Sequence, residues 1–253
     1  MLRCGRCDCR DQLGRENELL AAIRGGGHNV GGRALCDDGL VIDLSRMRSV
    51  HVDAVNQTVR VQSGATLGNL DRETHVFGLA LPSGIVPKTG IAGLTLGGGV
   101  GWLLRKYGMS IDNLCLVRWS RPVGPCSPQA TPPKMRICFG HAIPSLLPRC
   151  RILWRRRRPG AHTAFPHRGL PWDILFLAQW TDAAETTHRD WARSGEEMLR
   201  PFSSNAHLLS ALDVEREDVI NTAWGANLPR LAAIKKKYDP TNFFRVNQNI
   251  KPV

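Results

Sequence analysis

Apolar residues between positions 13 and 117 fall in short runs that alternate between strand-like and helix-like spacing. Leu40-Val41-Ile42-Asp43-Leu44 is an apolar run of strand length. Val50-His51-Val52 and Thr58-Val59-Arg60-Val61-Gln62 alternate apolar with polar residues, and Asp53-Ala54-Val55-Asn56-Gln57 between them supplies a turn, so the two predict a hairpin. Leu67 and Leu70 stand at helical spacing behind Gly64, which predicts a short amphipathic helix over 66–76. Farther along, Trp172-Asp173-Ile174-Leu175-Phe176-Leu177-Ala178-Gln179-Trp180 reads as a buried strand. A helix over 183–199 is closed by Pro201, and a helical pair over 215–223 and 227–238 is stopped by Asp239-Pro240. No internal repeat is visible.

Between these segments the pattern breaks down. Residues 119–169 hold nine of the sixteen prolines and the run Arg155-Arg156-Arg157-Arg158, with no apolar periodicity, so no regular structure is expected there. The chain of 253 residues therefore divides into 13–118, an irregular basic Pro/Arg-rich connector over 119–171, and 172–253. A net charge of +12 suggests an anionic partner until its distribution is considered. Eleven Lys or Arg and no Asp or Glu lie between Asn113 and Trp172, which leaves 23 basic against 22 acidic residues elsewhere. Arg155 to Arg158 are flanked by proline and lack interleaved aromatics. A basic anion-binding protein acting through them is the weakest of three functional readings, and nucleic acid is not an expected partner.

Eight cysteines raise the question of a metal. Cys4, Cys7 and Cys9 form one C-x-x-C-x-C, but no second pair or matching histidine pair accompanies it, so free thiols and no metal are expected. No run of about 18 apolar residues is available to cross a bilayer, and the first ten residues lack the apolar segment of a secretory signal. A soluble, cytoplasmic protein is the default expectation, with no membrane partner.

Glycine carries the chemistry. Leu19-Leu20-Ala21-Ala22-Ile23 runs into Arg24-Gly25-Gly26-Gly27-His28-Asn29, where the missing Cβ atoms let backbone N–H groups approach a phosphate. A second cluster, Ser83 to Trp102, contains Gly84, Gly90, Gly93, Gly97, Gly98, Gly99 and Gly101 within twenty positions. So much glycine is too costly in chain entropy to be filler, and close backbone approach to a large flat or phosphorylated ligand accounts for it. Two such clusters suggest one extended ligand.

R-G-G-G-H-N at 24–29, G-L-V-I-D-L-S-R-M at 39–47 and S-G-x-x-P-x-T-G-x-A-G-L-T-L-G-G-G-x-G-W-L-x-R-K-Y-G at 83–108 together resemble the FAD-linked oxidases. Within them the chain is similar to the berberine-bridge-enzyme-like group with a PCMH-type flavin domain. Trp224-Gly225-Ala226-Asn227, followed by K-Y-D-P-T-N-F-F-R-V-N-Q-N-I-K-P at 237–252, resembles that group's C-terminal motif. The resemblance implies an α+β fold: a partial PCMH-type FAD-binding domain plus a remnant of an antiparallel-sheet substrate domain. It places Arg24, Gly25, Gly26, Gly27, His28 and Asn29 around the FAD pyrophosphate, with His28 bonded through its imidazole to the 8-methyl carbon of the ring. Ser83, Gly84, Thr89, Gly90, Gly93, Leu94, Thr95, Gly97, Gly98, Gly99, Gly101 and Trp102 would line the cofactor, and Asn247 and Asn249 would reach back toward it. Some relatives add a second tether from a cysteine, but this chain has Val86 there, so one covalent link is expected.

The activity implied is oxidation of an alcohol, amine or sugar carbon of a small molecule, with hydride passing to the flavin and oxygen or another acceptor taking the electrons. Many relatives carry a tyrosine where this chain has Trp224, so the catalytic base stays unassigned. An inactive flavin-binding remnant is the alternative. It is favoured by the lack of a further F-W-x-L-R-G-G-G-G-N-F-G stretch and of a recognisable substrate sheet. Where that stretch is expected stands Ile152-Leu153-Trp154-Arg155-Arg156-Arg157-Arg158-Pro159-Gly160. Glycine codons GGC read two bases late become arginine codons CGG. Residues 118–167 therefore read as out of frame relative to an ancestral gene, with a large internal deletion after them. Sequencing of the locus and transcript tests this, because a one-base change should restore the missing motif.

Overall fold

A computed structural model describes residues 14–118, 136–140, 143–144, 164–168, 174, 176, 181, 185–204 and 217–253. Strand β1 (Ala21–Arg24) pairs in parallel with β2 (Leu40–Asp43), so that Arg24 stands opposite Asp43. Strands β3 (Val50–Asp53) and β4 (Thr58–Gln62) form the hairpin that their alternation predicts, with Val52 opposite Val59. Helix α1 (Leu67–His75) begins at Thr66, whose side chain caps it in a reciprocal arrangement with Asn69. Short β5 (Leu79–Ala80), α2 (Ile91–Leu96) and α3 (Leu104–Tyr107) follow, then β6 (Leu114–Arg118).

The core forms where these elements turn their apolar faces together. Val59, Val61, Ala65, Leu67, Leu70, Leu81, Ile91 and Ala92 make one buried cluster, with Val50, Val52, Leu94 and Leu114 packed against it. Val59 and Val61 bury because strand alternation points both to one side, while Arg60 between them is exposed.

The connector is not irregular throughout. Arg136–Gly140 is strand β7 and lies between β4 and β6 in a four-stranded antiparallel sheet of order β3-β4-β7-β6, and Ile143–Pro144 (β8) pairs with β5. Five residues flanked by proline-rich sequence carry too short a pattern to register as a strand; backbone pairing on both sides, a tertiary effect, decides it.

Beyond residue 144 the described regular elements are helical: α4 (Glu185–Leu199), α5 (Glu217–Trp224) and α6 (Leu228–Tyr238). They lie within two residues of the expected boundaries. The strand expected over 172–180 lies outside the described residues except for Ile174 and Phe176, neither of which is in a strand. Phe176 packs edge-on against Trp191 of α4, with ring centroids 6.4 Å apart. Arg155 to Arg158 and the Cys4, Cys7, Cys9 cluster also lie outside the described residues. Among those described, no helix is long and apolar enough to cross a membrane, and no group of His, Cys, Asp and Glu could hold a metal ion.

A five-residue segment, 164–168, bridges the second glycine cluster and the C-terminal helices. Arg168 makes an ion pair with Asp112, His167 Nε2 lies 3.0 Å from the Ala223 carbonyl, and Asn227 Nδ2 donates to the Ala164 carbonyl at 3.2 Å. Phe165 lies against Gly98. The loop after α2 is thereby held to helices α5 and α6.

Candidate functional site

Strand β1 delivers Arg24-Gly25-Gly26-Gly27-His28-Asn29 to the molecular surface, and the loop's geometry follows from its glycines. A Cβ on Gly26 would stand 2.3 Å from the Gly90 nitrogen and 2.5 Å from its Cα, and a Cβ on Gly90 would stand 2.4 Å from the Gly26 nitrogen. The two glycine clusters therefore meet backbone to backbone along a seam. Gly27 takes a left-handed φ of 69°, and the N–H groups of Gly25, Gly26, Gly27 and His28 donate to no acceptor among the described residues. Consecutive free amides around a left-handed residue are the backbone elements of an anion-binding nest.

Beside this nest, Arg24 Nη1 donates to Asp43 Oδ2 at 3.0 Å, and Asp43 Oδ1 accepts from the Ser45 nitrogen at 2.8 Å. The Ser45 backbone N–H, reinforced by its side chain and by Arg24, holds the Asp43 carboxyl below the usual carboxylate range against the opposing effect of burial. Asp43 thus fixes the guanidinium that curls back over Gly27. Its role was not legible in sequence, where it reads as one polar residue in an apolar strand; the parallel register of β1 and β2 creates the pair. Asn29 uses its side chain locally, with Oδ1 accepting from the Arg33 nitrogen at 3.1 Å, while His28 is exposed.

The second cluster folds on itself. Gly101 lies so close to the Ser83 carbonyl that a Cβ would come within 1.7 Å of it, and Gly84 packs against Leu94. Thr89 accepts at its carbonyl from the Leu67 nitrogen (2.9 Å), and Gly90 is the N-cap of α2. Gly97 ends that helix, and Gly98 and Gly99 continue with φ of 107° and 80°. Gly93 is exposed, with open space where a Cβ would be, and Trp102 is 84% exposed. Thr95 Oγ1 and Ser63 Oγ are buried without hydrogen-bond partners, and the Ser63 carbonyl lies against Gly25.

The structure thus unites Arg24 to Asn29 with Thr89 and Gly90, and Ser83 and Gly84 with Leu94 and Gly99 to Gly101. It does not join Asn247 or Asn249 to this seam by any described hydrogen bond. Asn247 is exposed and accepts from the Gln248 nitrogen at 3.0 Å, and Asn249 Oδ1 is buried without a partner. Two concavities also lie away from the seam, one of about 610 Å³ beside α1 at Asp71 and His75 and one of about 380 Å³ at Arg15 and Phe243.

Residues 12–124 match the FAD binding domain family, and residues 211–251 match the family of berberine and berberine-like proteins. A FAD-linked oxidoreductase of Dictyostelium discoideum is 49% identical over 100 residues, which is 40% of this chain and 22% of that protein. The (R)-6-hydroxynicotine oxidase of Paenarthrobacter nicotinovorans is 44% identical over 99 residues, 39% of this chain and 22% of that one. The aligned region thus spans about a fifth of the length of these curated relatives. In space the chain resembles 6-hydroxy-D-nicotine oxidase from Arthrobacter nicotinovorans, with a TM-score of 0.76 and 20% identity over 99% of this chain and 90% of that one. It also resembles Phl p 4, a grass pollen allergen with glucose dehydrogenase activity, with a TM-score of 0.79 and 17% identity over 99% and 89%. At such identities the likeness is one of fold. Taken with the paired glycine clusters and the C-terminal motif, these matches show that the chain carries a PCMH-type FAD-binding segment and a berberine-bridge-enzyme-like C-terminal segment of the FAD-linked oxidase family.

Proposed function

We propose that this chain is a FAD-dependent oxidoreductase of oxidase type acting on an alcohol, amine or sugar carbon of a small molecule. The observation that carries the reading is the seam: Gly26 and Gly90 in backbone contact, with four consecutive N–H groups from Gly25 to His28 left unused beside them. That nest fits a pyrophosphate, and a Cβ at either glycine would force the two segments apart and distort it. Arg24, held by Asp43, adds a fixed positive charge at its edge. Ser83, Gly84, Thr89, Gly93, Leu94, Thr95, Gly97 to Gly99, Gly101 and Trp102 would line the remainder of the cofactor.

FAD supplies a two-electron acceptor for hydride when bound. His28 is the one residue of the loop with a side chain that is both nucleophilic and exposed, so its imidazole would carry the single covalent link to the 8-methyl carbon. Val86, where some relatives have a cysteine, offers no second link. Trp224 offers no proton acceptor, and its buried Nε1 lacks a partner. The base is therefore not among the residues of that position. Oxygen or another small acceptor would take the electrons onward.

Purification tests the reading. The protein is expected to be yellow, with flavin fluorescence that stays on the polypeptide after acid precipitation. His28→Ala should release all of its flavin on acid treatment while still folding, because His28 is an exposed loop side chain. Acid-stable flavin in that variant would exclude His28 as the link, and a colourless wild-type protein that FAD does not stabilise would exclude the function.

A further inference from the structure

Away from the seam, the two ends of the described chain meet in the concavity of about 380 Å³ lined by Arg15, Glu18, Leu19, Thr241, Phe243 and Arg245. Leu19 lies at the opposite end of β1 from the glycine loop, roughly 15 Å of strand away. The walls combine two guanidinium groups with an apolar floor. Arg15 stacks over the Phe243 ring, 4.5 Å from its centroid, and donates to Thr241 Oγ1 at 2.5 Å and Asp239 Oδ1 at 3.4 Å. These contacts hold the guanidinium in place and leave N–H donors over. Arg245 is exposed and has no hydrogen bond or ion pair among the described residues.

Two more features converge here. Glu18 and Asn242, which flank the concavity, both take a left-handed φ of 53°, and Asn242 Oδ1 is buried without a partner. Non-glycine residues in that conformation are strained and persist where the surroundings over-determine them. The C-terminal segment is basic as well: residues 228–253 carry Arg230, Lys235, Lys236, Lys237, Arg245 and Lys251 against Asp239 alone, while the facing segment carries Arg15 with Glu16 and Glu18. Glu18 sets the limit on ligand charge, because its carboxylate faces the same space.

We propose that this junction binds a small carboxylate with an apolar body. Arg245 and the free edge of Arg15 hold the carboxylate, Leu19 and Phe243 support the body, and Glu18 disfavours a second negative charge. The site is separate from the seam and does not require bound flavin, so its test reads heat and not colour.

Benzoate titrated calorimetrically into the full chain should bind saturably, with a Kd of order 1 mM or below. Benzyl alcohol and inorganic phosphate should bind at least tenfold more weakly, the first for want of charge and the second for want of an apolar body and for excess charge. Arg245→Ala should weaken benzoate about tenfold, and Arg245→Lys less than that, because a point charge replaces the planar fork. Arg245 is exposed, so both variants should melt with the wild type. Absence of saturable benzoate binding would overturn the proposal. So would phosphate or benzyl alcohol binding as tightly as benzoate, or benzoate affinity unchanged in Arg245→Ala.

Discussion

Gly26→Ala is expected to lower the stability of the protein by about 3 kcal/mol and to abolish flavin retention. The new Cβ would stand 2.3 Å from the Gly90 nitrogen and 2.5 Å from its Cα, and both are backbone atoms that cannot swing aside. The two segments must part, and overpacking of this kind typically costs about 1–3 kcal/mol, more when backbone must move. For a chain of this size that corresponds to a fall in melting temperature of roughly 6–12 °C. Gly90→Ala should behave alike, since its Cβ would meet the Gly26 nitrogen at 2.4 Å. Gly93→Ala is the informative contrast. Gly93 sits exposed in α2 with nothing within 4 Å of a built Cβ, so alanine there should stabilise the helix by about 0.5–1 kcal/mol. If Gly93 also lines the cofactor, the same variant gains stability and loses flavin affinity. Thermal melts and flavin titrations of the three variants check both statements, and a Gly26→Ala protein with wild-type melting would show that the seam is not closed in solution.

Asp239→Ala should be as damaging at neutral pH, and its effect should fade in acid. Asp239 is 6% exposed and accepts from Lys235 Nζ at 2.6 Å, the Phe243 nitrogen at 2.9 Å, the Phe244 nitrogen at 3.0 Å and Arg15 at 3.4 Å. The carboxylate clasps the start of the described chain to its C-terminal segment. Removing one partner of a buried ion pair costs about 3–5 kcal/mol, because the other charge is left uncompensated. Burial pushes the Asp239 carboxyl up, but Lys235 and the N–H groups of Phe244 and Phe243 outweigh it and hold it below its ordinary value of 3.8. With the folded value depressed, the stabilisation is fully present above the unfolded value and is lost as pH falls through the folded one. Urea unfolding at pH 7, 5 and 3 should therefore show a wide gap between wild type and Asp239→Ala at the first two and a narrower one at the last. A gap constant across that range would mean that the carboxylate's charge contributes nothing.

How legible these features were depends on the range of the interaction behind them. The hairpin of β3 and β4, helix α1 and the helices near 217 and 228 were legible because periodicity and stop signals are local, and each element agrees with its own sequence. β7 was not, since its five residues are a strand only because β4 and β6 flank them. The segment 164–168 was equally hidden, lying in a stretch that lacks periodicity, and its contacts to Asp112 and Ala223 are 56 residues away along the chain. Asn247 and Asn249 are plain in sequence as part of a motif, and in the structure Asn247 accepts from its neighbour Gln248 while Asn249 Oδ1 is buried without a partner among the described residues.

Sequence alone determined the resemblance to the FAD-linked oxidases and the positions of both glycine clusters, because motifs and their spacing are local properties of the chain. Only the tertiary structure decided that Gly26 and Gly90, 64 positions apart, are the two sides of one seam, that Asp43 fixes Arg24, and that the chain's described ends close together at Asp239. The reason is physical: local pattern sets which elements form, whereas the approach of two backbones, the register of a parallel pair and the burial of a charge are properties of packing, and no short stretch of sequence contains them.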